Sequence, residues 1–197
     1  MKQKLTLICV LSILLANVNA QKIGIKAGLS LANAQYEYSG TSISTSNLTG
    51  VQAGLIGEVI ISNEIYFNSG ILFSQKGTKM SLLGVEIDFP INYFEIPLNL
   101  AYKYDLGTVK LFAQAGPYFG IGLSAKMKGG GFEETIDFGS ETDQIKRLDL
   151  GINFGAGIEI KKVRLGINYG LGLTNLSNDS DELMKNGVLS FSVGIFL

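Results

Sequence analysis

The chain contains no histidine, no tryptophan and a single cysteine in 197 residues. Without histidine the commonest general base and metal ligand is missing, so the serines that crowd residues 34–49 cannot join a Ser-His-acid triad. A lone cysteine forms no disulfide within the chain and no thiolate metal centre. Charge is scarce as well: 17% of residues are charged, with 16 basic against 17 acidic side chains. That balance lacks the positive excess that nucleic-acid binding demands, which excludes nucleic acid as a partner. Yet 46% of the residues are hydrophobic, too many for a disordered chain. So few charges are an unusual coat for a water-facing domain, and something other than water is expected to cover part of the surface. The length fits one domain.

The first twenty residues have the make-up of an export signal. Lys2 and Lys4 precede an apolar run from Leu5 to Ala16, and Asn17-Val18-Asn19-Ala20 closes it with small or modest residues. The run is about 12 residues, short of the roughly 20 that a membrane-spanning helix needs. Cys9 stands in the middle of the run, away from the small residues where a lipoprotein cysteine would sit, and so leaves with the peptide. The expected division is residues 1–20 as signal peptide and 21–197 as one mature domain without cysteine.

From Lys22 onward the apolar residues recur every second position, the period of a strand with two unlike faces. Between Asn92 and Tyr104, Phe94, Ile96, Leu98, Leu100, Tyr102 and Tyr104 fall on one face, with Glu95, Pro97, Asn99, Ala101 and Lys103 on the other. Arg147 to Ile160 repeats the pattern. Weaker copies at Lys22 to Asn33, Gly50 to Ile61, Ile65 to Gln75, Thr108 to Ile121, Val163 to Thr174 and Gly187 to Leu197 bring the count to eight strands. The links alternate: Ser62-Asn63-Glu64, Asp105-Leu106-Gly107 and Lys161-Lys162 are short, whereas 34–49, 76–91, 122–146 and 175–186 are long. An even number of strands with short turns at one end and long loops at the other describes an antiparallel up-and-down transmembrane β-barrel, both chain ends periplasmic.

Alternation alone does not say which face points outward, since a soluble lipocalin-like carrier turns its apolar face inward. The polar face favours an outward apolar stripe here. It is built of Gly, Ala, Ser, Asn and Gln with isolated ions of both signs, which suits a narrow lumen in which glycines make room for long side chains. Lys26, Glu58, Glu95, Lys103, Lys110, Arg147, Asp149, Glu159 and Arg164 fall on or near it, and Glu95, Lys103, Lys110, Arg147, Asp149, Glu159 and Arg164 are the candidates for lumenal ion pairs. Glu95 is expected to pair with Lys103, Lys110 or Arg147. Tyr66, Tyr93, Phe94, Tyr102, Tyr104, Tyr118, Phe119 and Tyr169 lie near strand ends, the place of an interfacial aromatic girdle. Pro97 and Pro117 each remove a ladder donor and predict a bulge or irregularity.

The run Tyr93-Phe94-Glu95-Ile96-Pro97-Leu98, then Ala115-Gly116-Pro117-Tyr118-Phe119-Gly120, then Asp149-Leu150-Gly151 with Gly155-Ala156-Gly157, resembles the PorT-like outer-membrane β-barrel family over essentially the whole mature chain. The resemblance implies the outer membrane of a Gram-negative bacterium. The last strand, Ser190 to Leu197, is similar to the terminal signal read by the barrel assembly machinery, with Phe196 one place short of the end. That machinery and outer-membrane lipid are the expected partners, beside an external-loop partner that the sequence does not name.

The remaining motifs read as structure. Asp179, Asp181 and Glu182 lack the spacing of a calcium loop, and Lys128-Gly129-Gly130-Gly131 lacks the Gly-Lys-Ser/Thr ending of a phosphate loop. No catalytic residue, metal site or cofactor is read from the chain. The leading functional expectation is a non-enzymatic barrel with a structural or interaction role through four external loops. The alternatives are a transport or protein-secretion accessory and a soluble carrier of an apolar ligand.

Overall fold

Backbone polar groups inside a hydrocarbon layer must find partners within the chain, and a sheet achieves this by closing on itself. The computed structural model describes residues 21–82 and 84–197, and in it the sheet closes; the expected signal peptide lies outside the described residues. Eight strands form the ring: β1 (Gln21–Tyr38), β3 (Leu48–Ile60), β4 (Ile65–Leu82), β5 (Val85–Asp105), β6 (Val109–Gly129), β8 (Leu148–Ile160), β9 (Val163–Gly172) and β10 (Glu182–Phe196). Each pairs antiparallel with the next, and β10 returns to β1 from Gly24↔Phe196 to Tyr38↔Glu182. Two short strands flank the ring, β2 (Thr41–Ile43) on β1 and β7 (Phe132–Ile136) on β6. All three tight turns lie at the end that carries Gln21 and Phe196, which makes that end periplasmic.

The apolar stripes face outward. Ile25, Leu55, Ile71, Leu100, Phe154 and Phe191 are each at least half exposed, an apolar belt that only lipid can cover. This overturns the soluble-carrier alternative, which requires the same side chains inside. The belt has an upper limit: Gln75, Asn92 and Ser124 join by side-chain hydrogen bonds of 3.2 and 2.9 Å in a polar row across β4, β5 and β6. Three of the expected girdle residues do not face lipid. Tyr66, Tyr93 and Tyr118 are buried in the lumen, because they share strand parity with the glycines and ions and not with Phe94, Tyr102, Tyr104 and Phe119.

Above the polar row the strands continue where loops were expected. The segment 76–91 is a ladder that runs from Lys76↔Ile91 to Leu82↔Val85, and residues 125–136 form the β6–β7 hairpin. Backbone pairing does not need lipid, so it outlasts the apolar alternation by which strands are recognised in sequence. Gly130 and Gly131 both take positive φ, 58° and 85°, between the paired residues Gly129 and Phe132. That is the geometry of a two-residue hairpin turn, which explains the glycine run without a phosphate.

The prolines interrupt the ladder without shifting it. Pairing between β5 and β6 skips Leu98 and Asn99 opposite Gly116 and Pro117, then resumes in the same register. The one shift falls at Asn92/Tyr93, where Leu123 is the extra residue on β6. A missing N–H removes hydrogen bonds; an extra residue is what moves register, and neither proline supplies one.

Candidate functional site

The lumen is filled by two groups of ions with an amide belt between them. At the periplasmic end, Lys103 Nζ lies 2.5 Å from Glu58 Oε1 and 2.7 Å from Glu159 Oε2. Arg164 bridges the same two carboxylates, and Lys22 reaches Glu159 at 3.1 Å from the rim. Aromatic faces complete this group: Tyr66 lies 4.3 Å from Lys103 Nζ, Phe112 4.8 Å from the Arg164 guanidinium and Phe196 4.7 Å from it. The Phe196 ring thus caps the ions from inside the barrel. Glycine supplies the room, since a Cβ on Gly157 would stand 2.7 Å from the Phe112 ring.

Toward the external end, Lys76 sits between Glu95 at 2.6 Å and Asp149 at 3.0 Å, with the Tyr118 ring 3.9 Å away. Tyr118 and Asn186 donate to the two oxygens of Asp149 at 3.2 and 2.9 Å. Between the groups, Asn68, Gln114 and Asn168 link across three strands at 3.0 and 2.9 Å. Lys26 projects beside this belt, where two cavities of about 40 and 50 Å³ leave space for a few water molecules each.

Of the seven candidate ion-pair residues, Lys103, Glu159 and Arg164 meet at the periplasmic end, while Glu95 and Asp149 meet at the other around Lys76. Glu95 contacts neither Lys103, Lys110 nor Arg147. Lys110 pairs instead with Asp105 at the β5–β6 turn, 2.7 Å apart. Its ammonium and the Gly107 amide hold the Asp105 carboxyl below its usual range. Arg147 is exposed above the barrel, its guanidinium 5.3 Å from the Phe138 ring. Lys76 lies one residue beyond Gln75, where the apolar alternation of the strand fades; the alternation of Leu72, Ser74, Lys76 and Thr78 is the sequence signal that carries it inward.

The external end is an ordered platform. The strap 137–146 lies over the mouth, where Ile136, Phe138, Ile145 and Met184 pack on buried Ile91, Tyr93 and Ala125. Asn178 holds the strap by donating to the carbonyls of Gly139, Glu141 and Gln144 at 3.0 to 3.1 Å. Lys146 donates to the carbonyls of Asn175 and Ser177 at 3.0 and 2.8 Å. In the last loop Asp179 caps the Asp181 amide at 2.9 Å, and Glu182 accepts from Tyr36 at 2.8 Å and from Ser177 at 2.9 Å. Lys126 and then Lys128 hold the Glu133 carboxyl below its ordinary value on the outer face of β7.

A ring of strands that is apolar outside and ionic inside, with tight turns at one end, defines an outer-membrane β-barrel. The family described as outer membrane protein beta-barrel domain matches residues 18–178, and the chain belongs to that family. It is accordingly a protein of the Gram-negative outer membrane. Among solved structures it is similar to Ail, the attachment invasion locus protein of Yersinia pestis, solved with the heparin analogue sucrose octasulfate. The identity is 17% over 90% of this chain and 99% of that one, with a TM-score of 0.45. Neisserial surface protein A matches with 16% identity over 87% and 96% of the two chains and a TM-score of 0.47. The N-terminal β-barrel domain of Pseudomonas aeruginosa OprF matches at 7% identity over 87% and 97%, TM-score 0.38. No curated protein matches the chain.

Proposed function

We propose that this protein is a non-enzymatic barrel that works through its external end as an interaction surface, and that its lumen is structural. Within the family the Tyr93 to Leu98 run favours a PorT-like member. Residues 1–20 direct export and are removed, and the barrel assembly machinery inserts the mature chain through its last strand. The observation that carries the reading is the filled lumen: two ion groups and the amide belt between them occupy it, with cavities of about 40 and 50 Å³ beside Lys26, while the strap and its Asn178 and Lys146 anchors give the outer end a fixed shape. A rigid platform on a sealed barrel has contacts to offer and no passage. Reconstitution in planar bilayers tests this. The expected record shows no conductance steps; stable ohmic channels would refute it in favour of the transport alternative.

A further inference from the structure

The external platform contains a cleft of about 460 Å³ between the β6–β7 hairpin and the strap on one side and the upper arms of β1 and β10 on the other. Its floor is apolar: Phe89, Ile91, Met127, Ile136 and Met184 line it, and Ile91 belongs to the buried cluster beneath. Its rim is acidic. Glu134, Asp137, Asp143 and Glu182 face one basic side chain, Lys126, and that ammonium is already held by Glu133 at 2.5 Å on the outer side of the hairpin. The Glu134, Asp137 and Asp143 side chains are exposed. The surroundings reinforce the sign. Segments 34–49, 76–91, 122–147 and 175–186 carry eleven of the seventeen carboxylates and only seven basic side chains, one of which, Lys76, is buried in the lumen.

We propose that this cleft is a binding site for an organic cation on an apolar body: an ammonium or guanidinium held by the rim, with an aromatic or aliphatic part on the floor. The volume suits a small molecule or one or two side chains of a peptide. An apolar floor gives affinity by burial, while the unpaired carboxylates select the sign of the head group and draw cations in from solution. An anion of the same shape is repelled. The proposal rests on the external end being the interacting surface and adds the chemistry of what binds there.

The chain has no tryptophan, so an indole probe excited on its red edge, beyond the absorption of the eight tyrosines, reports its own fluorescence. Tryptamine is titrated into the full-length folded protein in detergent micelles, with anisotropy as the readout. A capped Arg-Trp dipeptide in a second arm separates a free amine from a peptide source. Indole-3-acetate is the anionic control. Glu134→Gln with Asp143→Asn is compared in the same micelles, which removes partitioning from the difference, and heat-modifiable gel migration verifies that the variant is folded. Tryptamine or the dipeptide should saturate, weaken about threefold per carboxylate removed and weaken again in molar salt, where charges are screened beyond about 3 Å. Asp105→Asn, at the periplasmic β5–β6 turn, should leave binding unchanged. Equal binding by the double variant, or equal binding of indole-3-acetate, overturns the proposal. Protease added to intact cells separates the two readings. If 130–146 is cut while neither probe binds, only the cleft proposal fails; if that segment is unreachable in cells, both fail.

Discussion

Replacing Lys76 by methionine isolates the energetics of the sealed lumen. Lys76 is the one cation between Glu95 at 2.6 Å and Asp149 at 3.0 Å, and its residue is 2% exposed. Methionine keeps most of the length of the side chain and removes its charge, so two carboxylates are left facing each other behind the Tyr118 ring. Removing one partner from a buried ion pair costs about 3–5 kcal/mol, a large part of the roughly 5–15 kcal/mol that holds a domain folded. With a urea slope of about 1–3 kcal/mol per molar, the unfolding midpoint should fall by at least about 1 M. The assay is urea unfolding in phospholipid vesicles, followed by the gel shift between folded and boiled forms. Adding Glu95→Gln and Asp149→Asn to Lys76→Met removes the opposed charges and should recover much of the loss. A single variant that unfolds at the wild-type midpoint would show that bulk water reaches Lys76, and the filled-lumen argument would fall with it.

The lipid-facing stripe predicts that Phe154→Arg, at a half-exposed outward position, destabilises the barrel in the same assay by about 2–4 kcal/mol, whereas Phe154→Leu stays within about 1.5 kcal/mol. Tyr36 lies above the membrane; burial, and then its hydrogen bond to Glu182, push its phenol up from 10.0 to about 12. Its contribution is therefore complete below pH 10 and lost as the pH climbs from 10 toward 12. Alkaline absorbance titration should show a late phenol step that Tyr36→Phe removes. Asn178→Ala deletes the three hydrogen bonds to Gly139, Glu141 and Gln144; proteolysis of 137–146 on intact cells should accelerate several-fold while the urea midpoint of the barrel is unchanged. An unchanged cleavage rate would show that the strap is held by Phe138 and Ile145 alone.

By itself the sequence determined the strand period, the number of ring strands, the alternation of tight and long links, and which stripe of each strand is fit for lipid. All of these follow from side-chain parity, a property that two neighbouring residues already express. It also marked Lys103, Asp149, Glu159 and Arg164 as inward, for the same reason. Parity is silent about height. Which ions meet depends on the stagger with which β10 closes on β1 and each strand slides past the next, and that stagger set Glu95 beside Lys76 and left Lys110 and Arg147 outside the lumen. The inward tyrosines show the same limit: parity already sets Tyr66 and Tyr118 on the lumenal stripe, but only the closed ring put them over Lys103 and Lys76. Above the membrane parity says less, since no lipid distinguishes the faces: it still carries Lys76 and Thr78 inward past Gln75, but the length of the ladder and the acidic cleft of the strap were decided by tertiary packing.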